Sequence, residues 1–159
     1  MITAMPRRRV VIALMLLMIA AACDGSPAAP DTELPVAEII VADAATGEHV
    51  AYSHQDHWHG ALRQRVGDAR QYRVFFTARQ RGPNEHDVPA RAEWSTLDTL
   101  PAYQLHTVVQ DTTVARWSLA TSTGTLATPR SGATYVSFVV RRGTTTIFEA
   151  PPLVVGVTP

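Results

Sequence analysis

The stretch Gln71-Tyr72-Arg73-Val74-Phe75-Phe76-Thr77-Ala78-Arg79 decides the fold class, because apolar and polar residues alternate along it. On an extended chain its apolar residues share one face and its polar residues share the other, with Phe75 as the exception. The apolar face comprises Tyr72, Val74, Phe76 and Ala78. This period of two, followed by the breaker Arg81-Gly82-Pro83-Asn84, predicts a half-buried β-strand.

Further short runs of strand-forming residues lie on both sides of this stretch, separated by turn residues. Residues 121–132 are predicted as a loop, because Thr, Ser, Gly and Pro dominate them. After residue 35 no 3.6-residue apolar stripe persists for three turns, so no long helix is expected. The pattern predicts an all-β sandwich of roughly seven to nine short antiparallel strands. The candidate strands are 36–42, 48–53, 56–63, 71–79, 104–110, 113–119, 133–141, 144–150 and 153–157, and 91–95 is a tenth, less regular candidate.

The carboxyl-terminal strands carry a family resemblance. After the turn at Ser131-Gly132, the runs Ala133-Thr134-Tyr135-Val136-Ser137-Phe138-Val139 and Leu153-Val154-Val155-Gly156-Val157 resemble the last strands of bacterial Ig-like domains. The resemblance implies an Ig-like β-sandwich over residues 36–159, of the kind that serves as a binding or spacing module.

The amino terminus has the layout of a secretory signal over residues 1–22. Arg7-Arg8-Arg9 precede an unbroken apolar run from residue 10 to 22, which is too short for a comfortable transmembrane helix. With Cys23 directly after Ala20-Ala21-Ala22, the stretch resembles the lipobox of bacterial lipoproteins, although Ala20 stands where Leu is commonest. The resemblance implies that Cys23 is lipidated and anchors an exported protein at the cell envelope. An ordinary signal peptide with a chance cysteine is the alternative.

Residues 23–35 are rich in Gly, Ser, Pro, Ala and acid, which predicts a flexible tether. The chain has 14 basic and 14 acidic residues. Loss of the three arginines with a signal peptide would leave 11 basic and 14 acidic residues, a net charge of −3. A mildly acidic domain with scattered arginines predicts no nucleic-acid partner.

The candidate functional motif is Tyr52-Ser53-His54-Gln55-Asp56-His57-Trp58-His59-Gly60, which holds three of the six histidines. On a strand, His57 and His59 share one face while Trp58 faces the core. Two such imidazoles are roughly 6 to 7 Å apart at the backbone, close enough for both to bind one ion. The motif therefore predicts a metal site.

The first candidate ligands are His57 and His59, and His54 is next because a bend before the strand could turn it inward. His106 is the residue chosen for the fourth position, which His86, Glu85, His49 or water could fill instead. Asp56 could coordinate the ion or orient an imidazole. Because imidazoles dominate and no thiolate is available apart from Cys23, Zn²⁺, Cu²⁺ or Ni²⁺ is expected, with Zn²⁺ or Cu²⁺ preferred.

Two hypotheses about function follow. In the first, the protein is a membrane-tethered metal carrier or sensor that passes ions to a metal transporter or another envelope protein. Asp56-His57-Trp58-His59-Gly60 resembles a stretch in small exported bacterial lipoproteins suspected of handling transition metals, which favours this hypothesis. In the second, it is an Ig-like interaction or spacer domain with incidental histidines.

No enzyme is expected. His54-Gln55-Asp56-His57 is similar to the second half of the H-x-H-x-D-H signature of metallo-β-lactamase-like hydrolases, but Tyr52 replaces its first histidine. The chain also lacks the H-E-x-x-H, glycine-rich phosphate-loop and G-x-S-x-G motifs.

Overall fold

The computed structural model describes residues 36–159. The predicted signal peptide, the predicted lipidation site at Cys23 and the predicted tether at 23–35 lie outside the described residues. Within residues 36–159 the chain forms eleven β-strands in two sheets, and its one helical element is a 3₁₀ turn at Arg91–Glu93. The predicted all-β sandwich is confirmed. The strands are β1 Glu38–Asp43, β2 His49–His54, β3 His57–Gly60, β4 Leu62–Arg65, β5 Ala69–Thr77, β6 Tyr103–Val109, β7 Arg116–Ala120, β8 Thr123–Ala127, β9 Gly132–Arg142, β10 Thr145–Glu149 and β11 Leu153–Thr158.

The two sheets differ in size and in strand direction. The six-stranded sheet has the order β3-β2-β1-β5-β8-β7, and every neighbouring pair in it is antiparallel. The five-stranded sheet has the order β10-β9-β11-β4, with β6 also paired to β9. Strands β11 and β4 run parallel, so the predicted antiparallel arrangement holds for every other strand pair among the described residues.

The hydrophobic core lies between the sheets, as the alternating pattern of β5 predicts. Val74 and Phe76 of β5 are buried, as are Val136 and Phe138 of β9 in the other sheet. Phe75, the exception in the β5 pattern, contacts the ring of Trp94 at a centroid distance of 5.1 Å. The apolar residue on the outer face of β5 is therefore covered by a different part of the chain.

The prediction of one strand over 56–63 was wrong in its extent, because this stretch forms two strands, β3 and β4. Gly60 ends β3 with a φ of 92°, which glycine adopts without strain. A Cβ at this position would lie 2.4 Å from the carbonyl oxygen of Val50. After this break β4 joins the five-stranded sheet and pairs with β11. The division leaves both histidines of β3 at the edge of the six-stranded sheet.

Two other predictions were wrong. Residues 121–132 were predicted as a loop, yet β8 lies within them and pairs with β5 and β7. Residues 91–95 were predicted as a strand, but they form the 3₁₀ turn and a single bridge between Ser95 and Phe76. The described strand count of eleven exceeds the predicted seven to nine because β8 was missed and the histidine strand is divided in two.

The first part of the segment at 78–102, between β5 and β6, lies against the outer face of the six-stranded sheet near β1 and β2, whereas Leu97 in its later part joins the core. Arg81 in this segment forms a buried ion pair with Glu38 of β1, with Nε 2.8 Å from Oε2. The hydroxyl of Tyr52 on β2 donates a hydrogen bond to the carbonyl of His86. The segment thereby buries this part of the outer face. Across residues 36–159 no helix is long and apolar enough to cross a membrane.

Candidate metal centre

The β2–β3 hairpin sets the register of the histidine motif. His54 pairs with His57 and Tyr52 pairs with His59, so these four side chains occupy one face of the hairpin. The loop has only two residues, and its first residue, Gln55, has a φ of 52°. Trp58 faces the opposite way and contacts Phe138, with ring centroids 5.8 Å apart. The predicted division, with imidazoles on one face and Trp58 toward the core, is confirmed.

His57 and His59 place their ring nitrogens side by side. The two Nε2 atoms are 3.1 Å apart. The Nδ1 atom of His57 lies 3.2 Å from Oδ1 of Asp56, and this hydrogen bond lowers the pKa of the Asp56 carboxyl. When Nδ1–H donates to the carboxylate, the lone pair of His57 Nε2 is free for a metal. Asp56 thus occupies the orienting position, one of its two predicted roles.

His86 comes to the same place from the segment at 78–102. Its Nδ1 atom lies 3.3 Å from Nε2 of His59. Tyr52 holds both partners, because its ring stacks on that of His59 at 4.7 Å and its hydroxyl donates to the His86 carbonyl. Burial raises the pKa of the Tyr52 phenol, which keeps the hydroxyl protonated as a donor. A residue 27 positions after His59 therefore becomes its neighbour.

The spacing of these nitrogens suits a small transition-metal ion. Ligand atoms of His57, His59 and His86 all lie within 4.8 Å of one another. Nitrogens bound tetrahedrally to zinc at about 2.0 to 2.1 Å lie about 3.3 to 3.4 Å apart. The separations of His59 Nε2 from His57 Nε2 and from His86 Nδ1, 3.1 and 3.3 Å, are close to that value. The trio, meaning His57, His59 and His86, could hold a metal ion.

The electrostatics favour the metal-binding form of the central histidine. Burial lowers the pKa of the His59 imidazole, and the adjacent imidazoles of His57 and His86 lower it further. A lowered pKa keeps the ring neutral at neutral pH, and a neutral imidazole is the form that binds metals.

His54 lies beside the trio but in a buried setting. Its side chain is fully buried, and its Nδ1 atom lies 3.3 Å from Oε1 of Glu38. Its ring centroid is 5.5 Å from that of His57, 6.0 Å from that of His59 and 5.3 Å from that of His86. His54 therefore adjoins all three rings.

The other predicted ligands lie elsewhere. His106 is on β6 in the five-stranded sheet, opposite Val139, and the structure does not bring it to the trio. His49 begins β2, with its ring 6.0 Å from that of Tyr52. Glu85 accepts hydrogen bonds from Arg79 and from the backbone of Gly82, and the latter lowers its pKa. Its carboxylate already has partners.

Three residues around the site were not predicted as part of it. Tyr52 was noted as a departure from a hydrolase signature, but it stacks on one histidine and holds another. Glu38 and Arg81 were not considered, although a glutamate is an unusual member of the otherwise apolar run at 36–42. A buried carboxylate within a strand requires a partner, and this was the available signal.

Comparison with known proteins gives little help. No protein-family model matches the chain, and no characterised protein matches it in sequence. Among solved structures the chain is similar to the crystal structure of the S-layer protein SbsC domains 4 and 5, at 13% identity and a TM-score of 0.37. The similarity covers 62% of this chain and 47% of that chain, so the chain spans about half the length of that structure. These comparisons assign no function to the chain.

Proposed function

We propose that the protein is a metal-binding module that holds one Zn²⁺ or Cu²⁺ ion through His57, His59 and His86, tethered to a membrane on the exported side of a bacterial cell. Its role is to carry or sense the ion, with a metal transporter or another envelope protein as the partner, and no catalytic step is assigned to it.

The observation that supports this proposal most is the convergence of three imidazoles from separate segments. His57 and His59 come from β3, and His86 comes from a segment beyond β5. Hydrogen bonding between neutral rings accounts for only one of the two contacts at His59 Nε2, 3.1 Å to His57 and 3.3 Å to His86, since this nitrogen has either one N–H or one lone pair. One cation would satisfy all three lone pairs together.

The donor set supports Zn²⁺ or Cu²⁺. The nitrogens are borderline ligands, and the one cysteine of the chain, Cys23, is assigned to lipidation. Imidazole suits zinc, copper and nickel, whereas soft thiolate sites select Cu(I). The affinity order does not choose between Zn²⁺ and Cu²⁺, so direct comparison of the two ions is part of the test.

The tether and the location rest on the amino-terminal sequence. Arg7-Arg8-Arg9, the apolar run that follows and Cys23 match the order of a lipoprotein signal. Acyl chains on Cys23 would hold the protein firmly at a membrane surface, on the periplasmic side of the envelope. Residues 23–35 would then give the domain reach toward a partner.

Calorimetric titration of the purified protein with Zn²⁺ and with Cu²⁺ tests the proposal. The expected result is one site with micromolar or tighter affinity that is lost when His57→Ala and His59→Ala are combined. The matched control combines His49→Ala with His106→Ala, which removes two histidines outside the trio and is expected to leave binding unchanged.

Absence of micromolar or tighter binding by the unmodified protein would reject the proposal. The Ig-like interaction or spacer domain would then be the better account. Binding that survives the His57 and His59 substitutions would show that the ion binds elsewhere.

A further inference from the structure

One ring nitrogen next to the trio has no explanation within the protein. His54 Nε2 is buried and has no hydrogen-bond partner among the described residues. Buried polar atoms are almost always paired, and an unpaired one in a folded protein points to a missing water, ion or other group. The other nitrogen of the same ring, Nδ1, faces the Glu38 carboxylate at 3.3 Å. The unpaired atom is therefore the one that can act as a ligand.

The ring centroids of His54 and the trio are about as far apart as those of a four-imidazole site, although only the trio has its ligand atoms within 4.8 Å of one another. A ring bound through nitrogen has its centroid about 3.2 Å from the metal, so four tetrahedrally arranged rings have centroids about 5.2 Å apart. The six centroid distances among these histidines run from 4.8 to 6.2 Å. His54 stands no farther from its neighbours than the members of the trio stand from one another.

Glu38 is held so that it can fix the orientation of His54. Both carboxylate oxygens accept hydrogen bonds from Arg81 Nε, at 2.8 and 3.1 Å, and the Arg81 backbone N–H donates to Oε1 at 3.3 Å. The Arg81 guanidinium also lies over the Tyr52 ring, 5.1 Å from its centroid. The ion pair with Arg81 fixes the carboxylate in place beside the imidazole N–H that it accepts.

We infer that His54 is the fourth ligand, through Nε2, and that Glu38 is the positioning residue that keeps the His54 proton on Nδ1. This inference rests on the proposed function and specifies its site as four neutral imidazoles. Asp56 and Glu38 act in parallel, because each accepts the Nδ1–H of one ligand and leaves its Nε2 lone pair for the ion.

A four-imidazole site differs in chemistry from a three-histidine site. Structural zinc sites have four protein ligands, whereas catalytic sites keep one position for water. With His54 bound, no position remains for a water or substrate at a tetrahedral ion. The site would therefore hold an ion for transport or sensing, and release would require a ligand to leave.

Nitrogen-15 NMR of the histidine rings tests the inference directly on the unmodified protein. Zn²⁺ is the probe, because it is diamagnetic. One equivalent of Zn²⁺ is expected to shift the Nε2 resonance of His54 together with the Nε2 resonances of His57 and His59. The Nδ1 atom of His54 is expected to stay protonated. Shifts at His57 and His59 with an unchanged His54 resonance would overturn the inference and leave the proposed function standing. Failure of every imidazole resonance to shift would instead reject the proposed function.

The role of Glu38 is tested with two variants. Glu38→Gln keeps an acceptor for Nδ1–H and is expected to keep the His54 tautomer and most of the zinc affinity.

Combining Glu38→Leu with Arg81→Met removes the acceptor without leaving a buried unpaired charge. This double variant is expected to bind zinc about 10- to 100-fold more weakly and to lose the Nδ1–H tautomer. An unchanged tautomer and affinity in a folded double variant would overturn the role of Glu38. Should the double variant not fold, the NMR spectrum of the unmodified, metal-free protein decides: a His54 ring with its proton on Nε2 instead of Nδ1 would overturn the role of Glu38.

Discussion

His54 and His57 lie directly opposite each other across the β2–β3 hairpin, with ring centroids 5.5 Å apart and ring planes at 90°. Each contacts a carboxylate through Nδ1, His54 at Glu38 and His57 at Asp56. One pair is buried and the other is exposed to solvent. The hairpin therefore presents two Nε2 atoms whose rings each contact a carboxylate through Nδ1. The Nε2 atom of His54 lies in the protein interior, and that of His57 lies at the surface.

Loss of His86 should weaken metal binding although this residue is far from the histidine motif in sequence. Its Nδ1 atom lies 3.3 Å from His59 Nε2, so His86→Ala removes one ligand of the trio. We expect at least a tenfold loss of zinc affinity, since loss of a ligand's hydrogen-bonded partner alone costs about 10- to 100-fold. Calorimetry measures the change, with His49→Ala as the control. Equal zinc affinity of His86→Ala and His49→Ala would show that His86 is not a ligand.

Metal should raise the melting temperature of the protein, because an ion bound only by the folded state stabilises it by mass action. At a free concentration 100 times Kd the gain is about 2.7 kcal/mol, which corresponds to a shift on the order of 10 °C for a domain of this size. Scanning calorimetry with and without Zn²⁺ measures it, and a chelator should reverse it. The variant with both His57→Ala and His59→Ala should show no shift, and an equal shift in that variant would count against the trio.

Gly60→Ala should destabilise the protein more than Gly67→Ala. Both glycines have positive φ, 92° and 88°, so both substitutions strain the backbone. A Cβ at Gly60 would also lie 2.4 Å from the Val50 carbonyl oxygen, whereas one at Gly67 would meet no atom within 4 Å. We expect about 1 kcal/mol for Gly67→Ala and about 1 to 3 kcal/mol more for Gly60→Ala. Urea denaturation compares them, and equal losses would show that the hairpin adapts without strain.

The turn after β1 should contribute to the acid sensitivity of the metal-free protein. Backbone N–H groups of Thr46 and Ala45 donate to Oδ1 of Asp43 and lower the pKa of its carboxyl below 3.8. Because the folded pKa lies below the unfolded one, the stabilisation is complete above the unfolded pKa. It is lost as pH falls through the folded pKa. Asp43→Asn keeps an acceptor but does not titrate.

Urea denaturation in the presence of a chelator, between pH 7 and pH 2, measures the effect of Asp43. The unmodified protein should be the more stable at neutral pH, and its advantage over Asp43→Asn should shrink as the pH falls below about 4. An advantage that stays constant across this range would show that the Asp43 carboxylate contributes nothing through its charge.

Most of the fold follows from the period-two pattern, and its failures have definite causes. β8 was missed because its sequence is Thr-Gly-Thr-Leu-Ala, with one large apolar residue. Gly124 in this strand is required by packing, since a Cβ there would lie 2.1 Å from Trp117 Nε1. Local composition cannot reveal a glycine that a distant ring selects.

The sequence pattern predicted only the two ligands that lie on one strand, β3. The alternation along β3 places His57 and His59 on one face, and the structure agrees. His86 was one of several candidates, because the segment that carries it has no periodicity to indicate where it folds. Glu38 adjoins His54 because the β1–β2 register pairs Ile40 with Tyr52, and a register between strands depends on the whole sheet.

Anomalous diffraction from crystals of the protein grown with one equivalent of Zn²⁺ would locate the ion itself. We predict a single strong peak about 2.0 to 2.1 Å from His57 Nε2, His59 Nε2 and His86 Nδ1. A peak at any other position, or none among these three nitrogens, would contradict this prediction.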